Sequence, residues 1–106
     1  MAEGDRAKVI DNAEKHRFEV DLGDSVAVAE YIVTPTKIIF SHTEVPPQHE
    51  GKGIGTILIK AALESARTRG LKVIPTCPFF ANYMKRHAEV QDLLDDSYRK
   101  IFHLDA

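Results

Sequence analysis

Val45-Pro46-Pro47-Gln48-His49-Glu50-Gly51-Lys52-Gly53-Ile54-Gly55-Thr56 lies between the apolar run Ile38-Ile39-Phe40 and a long amphipathic stretch. That order reads as strand, glycine loop and helix start. A loop of this kind bares backbone N–H groups at a helix N-terminus, where the helix dipole favours an anion. Gly51, Gly53 and Gly55 carry no Cβ to hold a bulky phosphate away from the backbone, and Lys52 adds a cation beside them. The spacing excludes two common phosphate loops. The Gly51-Lys52 pair is followed by Gly53 and has no glycine five positions upstream, so it is not a Walker loop. Thr56 stands where the third glycine of a dinucleotide fingerprint belongs.

Working outward toward the N-terminus, residues 7–12 and 16–20 are short β-like runs separated by Ala13-Glu14-Lys15. Asp21-Leu22-Gly23-Asp24 is a turn. Residues 25–33 alternate and carry Val26, Val28 and Tyr31, and residues 37–45 form the next strand after Thr34-Pro35-Thr36. An antiparallel meander of three or four strands is expected. Toward the C-terminus, Ile54, Ile57, Leu58, Ala61, Ala62 and Ala66 mark one face of a helix over residues 53–69, with Gly70 as its left-handed cap. Val73-Ile74 begins a short strand that must run parallel to the strand ending at Val45, because a helix joins them. Pro78 opens a second helix over residues 79–87, and residues 90–94 extend or follow it. Asp92-Leu93-Leu94-Asp95-Asp96 reads as a solvated acidic patch. The expected class is therefore α+β.

The 106 residues have room for one core, and one domain over residues 1–106 is expected. A net charge of −2 gives no electrostatic footing for nucleic acid. One cysteine excludes an internal disulfide, and five scattered histidines suggest no metal cluster. No apolar run approaches the roughly 20 residues of a membrane span, and the first residues lack a signal-peptide core. These features predict a cytoplasmic monomer.

Three side chains are candidates for chemistry. Pro78 at the first helical position makes Cys77 the N-cap, where the dipole stabilises thiolate. Free cysteine is also a common packing residue, so two readings of Cys77 stand. His42 precedes Thr43 on a strand, so only one of the two faces the core. If His42 follows Ile38 and Phe40 inward, it approaches Cys77 or serves as a hydrogen-bonded core histidine. Tyr83, one turn into the second helix, either offers its hydroxyl to a leaving group or packs. His87, Lys85 and Arg86 read as helix-end and surface groups.

Gln48, Gly51 and Gly53 fill a Q-x-x-G-x-G pattern, which resembles the pyrophosphate loop of the GNAT acetyltransferase superfamily. Glu44-Val45-Pro46-Pro47 before the loop, and Lys72-Val73-Ile74-Pro75-Thr76-Cys77-Pro78-Phe79-Phe80 after the helix, resemble its small single-domain members. The resemblance spans residues 25–94. It implies a minimal GNAT-like fold in which the fourth strand splays from a parallel fifth, with acetyl-CoA or CoA in the cleft. It places the amides of Glu50, Gly51, Lys52, Gly53, Ile54 and Gly55 on the pyrophosphate, with Gln48 and Thr56 at the ends of the loop. The backbone near Val45 falls on the pantetheine arm, and Cys77 is implied as a catalytic residue. The two N-terminal helices of larger members are missing from the pattern, which leaves the acceptor amine open; an open groove would suit a protein or peptide. The implied activity is N-acetyl transfer with His42 and Tyr83 as acid–base candidates. A domain that binds acyl-CoA without turnover is the alternative.

Overall fold

A computed structural model describes residues 8–101. The chain runs β1 (Val9–Asn12), a 3-10 turn (Ala13–Lys15), β2 (Arg17–Asp21), β3 (Val26–Val33) and β4 (Lys37–Glu44). It continues through a second 3-10 turn (Pro47–His49), α1 (Ile54–Arg69), β5 (Lys72–Pro75) and α2 (Pro78–Arg86). A 3-10 segment (Ala88–Leu93) and α3 (Asp96–Ile101) follow. Ala7, expected at the start of the first strand, lies outside the described residues.

One five-stranded sheet has the order β1-β2-β3-β4-β5. The first four strands are antiparallel neighbours, and β4 and β5 run parallel. The meander thus has four strands, and the helical crossover forces the parallel fifth. Alternation sends Phe18, Val20, Ala27, Ala29, Tyr31, Ile38 and Phe40 to one buried face. That face is covered by both α1 and α2: the Phe40 and Phe80 rings stack with centroids 4.2 Å apart.

The turns follow local chemistry. Asn12 Oδ1 accepts from the Lys15 N–H at 3.2 Å, and His16 takes a left-handed conformation at φ +56° to re-enter the sheet. Asp21 Oδ1 accepts from the Gly23 N–H at 2.9 Å. At the end of α1, Gly70 at φ +70° lets the Leu71 N–H reach the Ala66 carbonyl at 2.9 Å.

Helix α1 buries a wider face than its simplest stripe. Ile59 and Leu63 are buried alongside Ile54, Leu58, Ala62 and Ala66, while Ile57 and Ala61 are only partly covered. The cause is the C-terminal segment Ala88–Leu93, which packs along the helix. Arg67 anchors it, donating to both Asp92 carboxylate oxygens at 2.8 and 3.0 Å and to the Glu89 carbonyl at 2.9 Å. Asp95 pairs with Lys37 at 3.0 Å, and its N–H donates to the Val73 carbonyl at 2.9 Å. Asp92 and Asp96 of the acidic run are exposed, as expected, but the run is more than a solvated patch: Asp92 and Asp95 tie the tail to α1 and to the outer edge of β5.

Residue parity changes once along β4. Tyr31 pairs with Phe40, whereas Glu30 pairs with His42, so Ser41 is the extra residue of a β-bulge. Past the bulge, Thr43 pairs with the fully buried Ala29 and shares its face. His42 is sent to the other side of the sheet. The expectation that His42 continues the inward row of Ile38 and Phe40 fails for this reason.

Candidate active site

Strands β4 and β5 stay paired only as far as Phe40 and Pro75. At that point the Phe40 carbonyl accepts from the Cys77 N–H at 3.0 Å and from the Thr76 hydroxyl at 3.2 Å. Beyond it β4 continues beside β3, while the other chain turns into α2. Cys77 is the N-cap and Pro78 opens the helix, as the sequence leads one to expect. A cavity of about 340 Å³ occupies the resulting wedge. Thr43 of β4 and Val45 just past its end form one wall, His49, Glu50 and Gly51 the loop side, and Ile54, Gly55 and Phe79 the helix side.

The three loop glycines do two different jobs. Gly51 and Gly53 have φ of +83° and +80°, and a Cβ on either would meet nothing within 4 Å. Backbone conformation is what requires glycine there. Gly53 is the N-cap of α1, and the first helical bond runs from the Ile57 N–H to the Gly53 carbonyl at 3.1 Å. Helix geometry leaves the N–H groups of Ile54, Gly55 and Thr56 without intrahelical acceptors, at the positive end of the dipole. Gly55 is different: its missing Cβ would sit 2.5 Å from Cε2 and Cζ of Phe79.

Of the loop residues singled out from sequence, Val45, Glu50, Gly51, Ile54 and Gly55 line the cavity. Lys52, Gly53 and Thr56 are exposed and do not line it. Gln48 turns its side chain toward Asp24. Asp24 also binds His49, whose Nε2 lies 2.9 Å from Oδ1. That hydrogen bond, followed by one from Ser25, lowers the Asp24 carboxyl to about 2. The pair fastens the loop to the β2–β3 turn. No local sequence pattern signals it, because the two residues meet only once the sheet forms.

Cys77 is 5% exposed, and its Sγ lies 3.4 Å from Thr43 Oγ1, to which the thiol donates. The thiol therefore stands one layer behind the cavity wall, reaching it through Thr43. Its expected neighbour His42 is across the sheet, 54% exposed, with Nε2 3.3 Å from Glu44 Oε1. Tyr83 is not in this cavity either. It is buried on α2, stacks on His87 with centroids 3.8 Å apart, and lines a separate crevice with Lys60, Leu63 and Arg67. Burial, and then the Glu89 carboxylate, raises its phenol pKa. His87 Nδ1 lies 2.7 Å from the Tyr83 carbonyl, which fixes it as a helix-end group. Thr43, His49 and Phe79 are site residues that the sequence reading missed. Among the described residues no group of three or more His, Cys, Asp or Glu side chains could hold a metal ion, and no helix is long and apolar enough to cross a membrane.

The same chain segments carry the likeness to known proteins. Protein NATD1 of Mus musculus is 31% identical over 90 residues, covering 82% of each chain. Protein NATD1 of Xenopus tropicalis is 31% identical over 84 residues, covering 76% of each, and that of Danio rerio 29% over 92 residues, covering 83% of each. The family model described as GCN5-related N-acetyl-transferase matches residues 17–93, from the start of β2 to the segment that closes the tail on α1. With its parted β4 and β5, its glycine loop opening α1 and that match over most of its length, this chain belongs to the GCN5-related N-acetyltransferase family.

Proposed function

We propose that the protein transfers an acetyl group from acetyl-CoA to an amine, with protein and peptide amines among the acceptors. One observation carries this reading. The cavity is lined by Ile54 and Gly55, whose N–H groups helix geometry leaves unpaired, and by Thr43, which accepts the hydrogen bond of the Cys77 thiol. An acyl-CoA carries groups of the matching kinds: an anionic pyrophosphate, an apolar arm and a thioester. In this assignment the amides of residues 50–56 take the pyrophosphate, exposed Lys52 adds positive charge to the loop, and the Val45 backbone runs beside the arm. Gln48 and His49 brace the loop through Asp24.

The amine then attacks the thioester carbonyl, and the C–S bond breaks with its electron pair leaving on sulfur. The amine enters this scheme from the sheet face that α1 and α2 leave free, through the gap where β4 and β5 part, and there His42, backed by Glu44, is the base for its ammonium proton. The leaving thiolate takes its proton from the Thr43 hydroxyl as that oxygen takes the Cys77 thiol proton along their hydrogen bond, and the Cys77 thiolate regains a proton from water when CoA departs. This gives Cys77 a supporting part in direct transfer rather than that of an acyl-carrying nucleophile, because its thiol is turned onto Thr43. Tyr83 holds α2 in place.

Calorimetric titration with acetyl-CoA, followed by CoA release with a panel of amines, tests the reading. Binding with amine-dependent release is expected. Binding without release for any amine would leave an acyl-CoA-binding module, and no binding would remove the cofactor.

A further inference from the structure

Adjacent phenylalanines at the start of α2 have opposite environments. Phe80 is fully buried against Phe40, whereas Phe79 is 44% exposed and stands on the cavity wall. The core does not need Phe79, yet its placement is tightly determined. Pro78 fixes the first turn of the helix that carries it, and its ring lies where a Cβ at position 55 would be. Gly55 lies inside the first turn of α1 without a positive φ. Alanine would favour the helix at such a position, so the glycine costs stability unless its vacant volume is used. The ring uses it.

Resting on the acetyl-CoA reading, we infer that Phe79 is a specificity residue that closes on the pantetheine arm of the bound cofactor, seated in a notch that Gly55 keeps open. Phe79 follows Cys77 by two residues and its ring ends against Gly55, so it spans the cavity wall from the Thr43–Cys77 pair to the start of α1, where the apolar arm would run. Half-exposed aromatic surface on a cavity wall gains by being covered with such an arm. The nucleotide portion of the cofactor makes no use of that surface.

The test is calorimetry on the full chain with two probes, CoA and adenosine 3′-phosphate 5′-diphosphate, which keeps the pyrophosphate and lacks the arm. Phe79→Ala should weaken CoA roughly tenfold and leave the nucleotide unchanged. Gly55→Ala should weaken CoA at least as much by displacing the ring, and Gly55→Ala combined with Phe79→Ala should bind CoA better than Gly55→Ala alone. Phe79→Leu, which keeps apolar volume, should lie between wild type and Phe79→Ala. Thermal melts check that each variant is folded. Wild-type CoA affinity in Phe79→Ala, or an equal loss for both probes, overturns the inference while leaving acetyl-CoA in place. If the wild-type chain binds neither probe, the cofactor reading itself falls and takes the role of Phe79 with it.

Discussion

Truncating Phe80 is the sharpest test of how α2 is held over the site. Its ring is fully buried and stacked on Phe40 at 4.2 Å with the planes 7° apart. Phe80→Ala removes that pair and leaves a cavity between α2 and β4, a change that costs about 3–5 kcal/mol. A domain of this size has about 5–15 kcal/mol in total. With about 1.5 kcal/mol/M for the urea dependence of a small protein, the midpoint should fall by roughly 2–3 M. Far-UV circular dichroism in a urea series measures this, since the chain has no tryptophan to follow. Phe79→Ala, next door, removes a half-exposed ring and should cost no more than about 1 kcal/mol. A Phe80→Ala loss below about 1 kcal/mol, or equal losses for the two variants, would mean that α2 does not pack on β4 through this stack.

Gly53→Val should abolish acetyl-CoA binding in titration calorimetry, because φ of +80° strains a β-branched residue although its Cβ would meet open space; Gly53→Asn should retain much more binding. His42→Ala should lower turnover about a hundredfold with little change in cofactor affinity, and a loss of only a few-fold would return His42 to an ordinary surface residue. Cys77 should react with iodoacetamide more slowly than a free thiol because it is buried, and Thr43→Val should alter that rate; a rate equal to that of a free cysteine would contradict the burial. The Asp24 carboxyl is depressed, so the stabilisation it lends the loop is present above its ordinary 3.8 and is lost as pH falls toward about 2. Carbon-13 NMR titration of Asp24 should show that midpoint, and His49→Ala should return it toward the ordinary value.

Local chemistry alone announced much of the fold. The strands at residues 26–33 and 37–44, the left-handed Gly70 cap, the proline start of α2 and the glycine loop before α1 depend on neighbours within a turn or a few residues. The parallel direction of β5 followed from the helical crossover before it. The make-up of the site was decided elsewhere. Period-two alternation assigns His42 inward, but one unpaired residue at Ser41 reverses the parity and gives the cavity Thr43. That bulge exists in the pairing of two strands and has no signature within either. Asp24 with His49, Arg67 with Asp92, and Phe79 with Gly55 are likewise distant in sequence, each 24 or 25 positions apart. Periodicity and capping act over one turn of chain, whereas these contacts arise only when the sheet and helices pack. The sequence by itself determined the strand, glycine loop and helix order; the tertiary structure decided which side chains face the cavity, because facing is a property of register and packing.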